Sequence, residues 1–380
     1  MILDKRYEMV RKLVREFAET EFTREILDEL QDTGEYNWEM HKKLAKCGFM
    51  GVKTPKEYGG AGGDYLDYAV MVEELARVSP VLCLYANTPA SLGSGPVMLG
   101  GTPEQKKKYI TPVATGEKMM VFGLTEPGAG SDAGGTQTTA ILDGDEYVVN
   151  GRKCFISGAP MADWVLCFVK TDPKQKGSRG ISLLVIDMHL PGVSVGAHEQ
   201  KMGIMGYPTS DIVFEDVRVP KDCLIGKVDK GFPLAMQTLD GGRLGVAAQS
   251  LGIAQGALEE AIKYAKERKQ FGRRIADFQA ISFMLADMAT KVEVGRQMVY
   301  HAAVLKNANS PEAGKACSMA KLFCSEMCNE VTAKAVQVHG GYGYIRDYKV
   351  ENFYRDARIT TLYEGTSEVQ RMVIAANILK

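Results

Sequence analysis

The sequence predicts an α+β chain in which a β module stands between two helical ones. Apolar residues recur at three and four near the N-terminus and again in the last third, while between about residues 121 and 226 the period falls towards two. Its 380 residues suffice for two or three packed units. With 45% hydrophobic and 24% charged residues, the composition is that of a water-soluble globular protein.

The first zone, residues 1–120, reads as helical. Val10, Leu13, Val14 and Phe17 fall at i, i+3, i+4 and i+7. Thr102-Pro103-Glu104-Gln105 spells a helix start, with a capping Thr, Pro in the first turn and Gln three residues on. In the middle zone, 121–226, Tyr147-Val148-Val149 runs into Asn150-Gly151, a hairpin signal. Ile181 to Ile186 form an apolar run broken only by Ser182, and Ile212, Phe214 and Val219 alternate in part before Pro220. A β region of about 100 residues has the size of a small barrel or sandwich. The last zone, 227–380, returns to helix: Leu251, Ala254, Leu258, Ala261 and Ala265 repeat at three and four.

Charge and spacing exclude several functions. A net charge of −1 argues against nucleic acid as the main partner. No apolar run approaches a membrane span, and Met1 to Arg6 lack the apolar core of a signal peptide, so a cytoplasmic location is expected. The eight cysteines have no framework spacing; Cys324 and Cys328 share a helix face and read as buried small hydrophobes. The five histidines form no ligand cluster, and no metal site is expected.

Six short stretches carry possible chemistry, each beside a plainer reading. Leu124-Thr125-Glu126-Pro127-Gly128-Ala129-Gly130-Ser131-Asp132 is an irregular turn whose free N–H groups suit an oxygen ligand, or simply a surface turn. Phe155 and Ser157 share one face of a strand and suit a flat ring, or a core Phe beside a capping Ser. Leu239-Asp240-Gly241-Gly242-Arg243 reads as a loop leading into a long helix, where Arg and a helix start favour a phosphate. Glu267-Arg268-Lys269-Gln270-Phe271-Gly272-Arg273-Arg274 reads as a basic helix end or a diphosphate clamp. Gln337-Val338-His339-Gly340-Gly341 permits close backbone approach, with His339 read as packing. Finally, Tyr363-Glu364-Gly365-Thr366 interrupts two helical segments and places a carboxylate that core packing does not explain.

Taken in order, "LTEPGAGSDA", "FIS", "LDGGR", "ERKQFG", "QVHGGYGY", "YRDAR" and "LYEGTSEVQR" resemble the acyl-CoA dehydrogenase family across essentially the whole chain. The resemblance implies an N-terminal helical domain, a middle β-barrel or sandwich domain and a C-terminal four-helix bundle. It implies FAD, an acyl-CoA substrate, an electron-transfer flavoprotein partner and a homotetramer. Phe122, Leu124, Thr125, Ser131, Phe155 and Ser157 match flavin contacts, Ser131 also facing the thioester. Leu239, Asp240 and Arg243 match the CoA-binding segment, and Tyr363 and Gly365 match substrate contacts. Arg268, Phe271 and Gln279 match residues that reach FAD from a neighbouring subunit. Gln337, Gly340, Gly341, Thr366 and Glu368 match further FAD contacts.

Glu364 matches the catalytic base. Desaturating a thioester removes a proton from Cα and a hydride from Cβ, and a carboxylate can take the proton if burial lifts its pKa. In the family, the thioester oxygen is held by the N–H of the Glu364 position and a ribityl hydroxyl of FAD. Some relatives place the base just before the Arg of the CoA segment, but here that position is Gly242. Phe155 replaces a common Trp, Lys349 a common Pro, and Cys83 falls where dicarboxyl-specific relatives keep Arg. The "LDGGRLGVAAQSLGIAQGALEEA" run is most similar to short-chain members and implies a compact acyl group. Polar Asn87, Thr88 and Ser91 beside Pro89 leave branched, cyclic or aryl groups open. The reverse reaction, enoyl-CoA reduction, would use the same residues.

Overall fold

The computed structural model describes residues 3–379; Met1 and Ile2 of the opening stretch, and Lys380, lie outside them. The chain begins with α1 (Lys5–Glu21), α2 (Arg24–Thr33), α3 (Trp38–Lys46), α4 (Tyr65–Val78), α5 (Pro80–Ala90) and α6 (Gly95–Gly100). On α1, Val14 is buried and Phe17 meets Phe49 edge-on at 5.3 Å, whereas Leu13 is exposed. The buried stripe is thus narrower than the sequence spacing suggests. The Thr102 capping box forms as read: Thr102 Oγ1 accepts from Gln105 N–H and Gln105 Oε1 accepts from Thr102 N–H. It opens α7 (Pro103–Gln105), which runs through a π-helical turn into α8 (Thr111–Ala114). Pro89 stands in the last turn of α5 and helps end that helix.

The β zone holds β1 (Met120–Gly123), β2 (Thr139–Asp143), β3 (Glu146–Ser157), β4 (Trp164–Lys170), β5 (Ile181–Asp187), β6 (Val193–Val195), β7 (Thr209–Pro220) and β8 (Leu224–Ile225). They form one eight-stranded sheet in the order β6-β7-β3-β2-β4-β5-β8, with β1 parallel to β4 off that path. On β5, Leu184 and Ile186 enter one apolar cluster while Ile181, Leu183 and Val185 enter another. Burial on both faces is why this strand reads as an apolar run broken only by Ser182.

One turn assignment is corrected. Asn150-Gly151 is not a hairpin; it lies inside β3 at a register shift. The β2–β3 hairpin instead turns at Gly144-Asp145, between the paired Asp143 and Glu146. Asn150 exchanges two hydrogen bonds with Asp216 on β7, at 2.9 and 2.8 Å, which fixes a bulge there.

The last zone holds α9 (Gly231–Glu267), α10 (Gln279–Asn307), α11 (Ala313–His339), α12 (Lys349–Ala357) and α13 (Ser367–Ile378). Helix α9 has 37 residues, a rod of about 55 Å, and it packs against α4, α10 and α11. Two further readings are corrected here. Leu239 to Arg243 form no loop at a helix start: they lie well inside α9, so no helix terminus favours an anion there. The basic stretch after Glu267 is a small hairpin, β9 (Lys269–Gln270) and β10 (Arg273–Arg274), turning on Phe271 and Gly272 at φ 51° and 78°. Lys349 is the first residue of α12, the helical position most tolerant of Pro, which accounts for the exchange seen there. Six of the eight cysteines, Cys324 and Cys328 among them, are buried. Among the described residues, no helix is long and apolar enough to cross a membrane.

Candidate active site

A cavity of about 470 Å³ opens between the sheet and the helices. Of the residues singled out in the sequence, Phe122, Leu124, Thr125, Ser131, Phe155, Ser157, Leu239, Arg243, Tyr363, Glu364 and Gly365 all line it. Segments far apart in sequence therefore meet at one place.

The β wall is built on a buried ion pair. Lys153 on β3 has no solvent exposure, and its ammonium donates to Glu126 Oε1 at 2.7 Å, Leu124 O at 3.2 Å and Phe168 O at 2.6 Å. Glu126 also accepts the N–H groups of Gln137 at 2.6 Å and Thr138 at 3.0 Å. Burial alone would push the Glu126 pKa up, but Lys153 and these donors outweigh it and hold it below the usual carboxylate value. Glu126 thus ties the 124–132 turn to the sheet. The bulge after Lys153 puts Phe155 at φ 56° and turns its ring outward, leaving it 65% exposed beside the cavity.

The helical wall carries Glu364 at φ 52° and Gly365 at φ 92°, both left-handed. Gln370 Nε2 donates to Glu364 O at 3.2 Å and Gly365 O at 2.9 Å, and the buried Lys321 ammonium on α11 donates to Gly365 O at 2.7 Å. Thr366 then caps α13, its hydroxyl accepting from Val369 N–H. The residue Glu364 is half-buried, but its Oε2 is closed off from solvent and has no hydrogen-bond partner. Desolvation raises its pKa to about 7, against the opposing pull of Lys321 and Arg243. Lys321 is likewise pushed down by burial, to about 8.

The carboxylate has room because α9 has none of its own at that point. A Cβ on Gly242 would lie 1.9 Å from Glu364 Oε2. One turn on, a Cβ on Gly245 would lie 2.1 Å from the Tyr68 hydroxyl. These contacts explain glycines inside a helix, where they cost about 1 kcal/mol each. Arg243 is buried beside them, pairs with Asp240 Oδ1 at 2.6 Å, and leaves its Nε without a partner.

A second cavity, of about 500 Å³, takes Arg268, Gln337, Gly340 and Gly341. His339 stacks on Tyr264 at 4.2 Å and shares its Nδ1 with Ala335 O, so it is a packing residue as read. The remaining candidates stand apart from both cavities. Phe271 is 93% exposed, Gln279 begins α10 at the surface, Glu368 is exposed, and Thr366 and Asp240 serve as helix cap and ion-pair partner. Cys83 is fully buried and off the cavity, which Leu84 and Asn87 of the same helix line instead.

Lys153, Lys321 and Gln370 were not legible as site residues, because nothing in sequence distinguishes a buried lysine from a surface one. The β wall suits a flat ring system, with an exposed aromatic face and hydroxyls of Thr125, Ser131 and Ser157 around one space. The helical wall suits a thioester, with an unpartnered carboxylate oxygen and a Glu364 N–H that meets no other group among the described residues.

Models of the acyl-CoA dehydrogenase N-terminal, middle and C-terminal domains match residues 4–117, 121–217 and 229–379. Subunit CarC of the caffeyl-CoA reductase–Etf complex of Acetobacterium woodii is 58% identical over 380 residues, covering 100% of both chains. A 3-(aryl)acrylate reductase of Clostridium sporogenes is 52% identical, again over 100% of both. Among solved structures, butyryl-CoA dehydrogenase from Megasphaera elsdenii superposes with a TM-score of 0.96 at 41% identity, covering 100% of both chains.

Proposed function

The chain belongs to the acyl-CoA dehydrogenase family, whose members bind FAD, and on that premise we propose that it interconverts a compact acyl-CoA and its 2-enoyl-CoA, exchanging electrons with an electron-transfer flavoprotein. The observation that carries this reading is the Glu364 carboxylate, with a buried, unpartnered oxygen in a cavity that has a ring-sized wall opposite. Bound FAD supplies the two-electron acceptor at Cβ. The chain supplies the proton chemistry. Glu364 takes the Cα proton in the oxidative direction and returns it in the reductive one. Its N–H is placed to hold the thioester oxygen, and Lys321 and Gln370 keep that strained turn in position. Arg243 offers a cation to the CoA portion.

A second reading, a reductase working with its flavoprotein, is favoured by the names of two relatives. The two directions need opposite forms of one carboxyl. Oxidation requires the ionised form and gains with rising pH through about 7; reduction requires the protonated form and fades over the same range. The proposal includes a homotetramer in which Arg268, Phe271 and Gln279 serve a neighbouring copy, and a cytoplasmic location, supported by eight unpaired cysteines. Anaerobic titration of the yellow holoprotein with acyl-CoAs, and of the reduced form with enoyl-CoAs, tests it. Failure of any acyl-CoA to bleach the flavin, with no enoyl-CoA restoring the colour, would refute it.

A further inference from the structure

The acyl end of the cavity carries an unused donor. Asn87 on α5 is 3% exposed and lines the cavity. Its Oδ1 accepts from the Tyr68 hydroxyl and, at 3.5 Å, from Ser91 Oγ. Both hydroxyls meet the oxygen, and Nδ2 donates to no group among the described residues.

The glycine face of α9 locates this donor relative to the base. Gly242 abuts Glu364 Oε2, and Gly245 abuts both the Tyr68 hydroxyl and, at 2.9 Å, Asn87 Oδ1. Residues three apart share a helix face and are separated by about 4.5 Å along the axis. The amide therefore lies about one helical turn from the carboxylate, within reach of a chain that continues beyond the reacting carbons.

We infer that Asn87 selects acyl-CoAs whose chain carries a hydrogen-bond acceptor beyond Cβ, a phenolic hydroxyl being one such acceptor. The inference rests on the placement of Glu364 at Cα. A plain hydrocarbon chain would close the cavity over Nδ2 and leave a buried donor unpaired, which costs most of the affinity such a contact can give. Sites built around a buried donor reject analogues that lack the acceptor more strongly than apolar pockets reject an extra group. Leu84 and Leu92 supply the apolar remainder.

The test compares kcat/KM of the holoprotein for 3-phenylpropionyl-CoA with that for its 3-hydroxyphenyl and 4-hydroxyphenyl counterparts, using an artificial electron acceptor. Wild type should prefer at least one hydroxylated substrate by about tenfold or more. Asn87→Leu should bring that ratio close to one, and Tyr68→Phe, which frees the amide to turn, should narrow it. Should Asn87→Leu fail to retain flavin, the Tyr68→Phe ratio decides alone. An equal rate on all three in wild type overturns the inference, as does a preference that persists in the variants. Glu364→Gln separates the two readings: if it turns over these thioesters at the wild-type rate, the base assignment fails, whereas a flat substrate ratio with Glu364→Gln inactive removes only the role of Asn87.

Discussion

Two glutamates support opposite walls of one cavity, and although burial pushes both carboxyls up, their pKa values end on opposite sides of the ordinary one. Glu126 is enclosed with Lys153 and two backbone donors, and its pKa falls. Glu364 sits in a left-handed turn with one oxygen unpartnered, and its pKa rises to about 7. Desolvation is the leading influence on both. What separates them is whether the neighbours complete the carboxylate's hydrogen bonds. The completed one holds structure together; the incomplete one is left free to exchange a proton.

The largest effect expected from this contrast is at Glu364. Glu364→Gln should keep FAD yet slow its reduction by substrate about 10²- to 10⁴-fold in stopped flow. The same change should stabilise the protein, the opposite of what a structural carboxylate would do. Its folded pKa lies above the unfolded value, so between about 4.5 and 7 the unfolded chain releases its proton first and stability falls as pH rises. At pH 8 the wild type carries that full cost, up to about 3 kcal/mol, and the Gln variant carries none. Melting curves should therefore separate at pH 8 and converge near pH 4.5.

On the other wall the order reverses. Lys153→Met strands the Glu126 charge and should cost about 3–5 kcal/mol in denaturant unfolding. Adding Glu126→Gln should recover much of that loss, and a double variant no better than the single would show that the pair is not the support of the turn. A smaller change sharpens the contrast at the base: Gly242→Ala puts a methyl where Oε2 now sits. Flavin reduction should slow about 10- to 100-fold with FAD retained, by misplacement of the reacting group. The smallest effect is electrostatic. Lys321→Met removes one of the two cations, with Arg243, that hold the Glu364 pKa down, so the pH midpoint for flavin reduction should move up. A midpoint that stays put would leave Lys321 as a mechanical clamp on Gly365 alone.

Local periodicity made most of the architecture legible. The repeat on α9, the apolar run of β5 and the Thr102 box each follow from side-chain spacing, and each formed as read. The misread segments share a cause. Asn150-Gly151 and Leu239 to Arg243 were judged by glycine content, yet in both the glycine answers a contact from elsewhere: Thr138 presses on Gly151, Glu364 on Gly242. Such contacts are long-range and leave no local mark. The same holds for Lys153 and Lys321, whose burial depends on segments remote in sequence. Motif order brought eleven candidates to one cavity, but Phe271, Gln279 and Glu368 stand outside both cavities in the single chain.

The vacancy at Gly242 has a consequence for how this scaffold can change. A side chain there would project onto the very spot the Glu364 carboxylate occupies, approaching from the long helix instead of the turn before α13. The acid is thus assigned to a location rather than to a position in the chain, and two separate stretches of polypeptide can reach it. A lineage could hand the proton from one segment to the other through two substitutions, without moving the substrate.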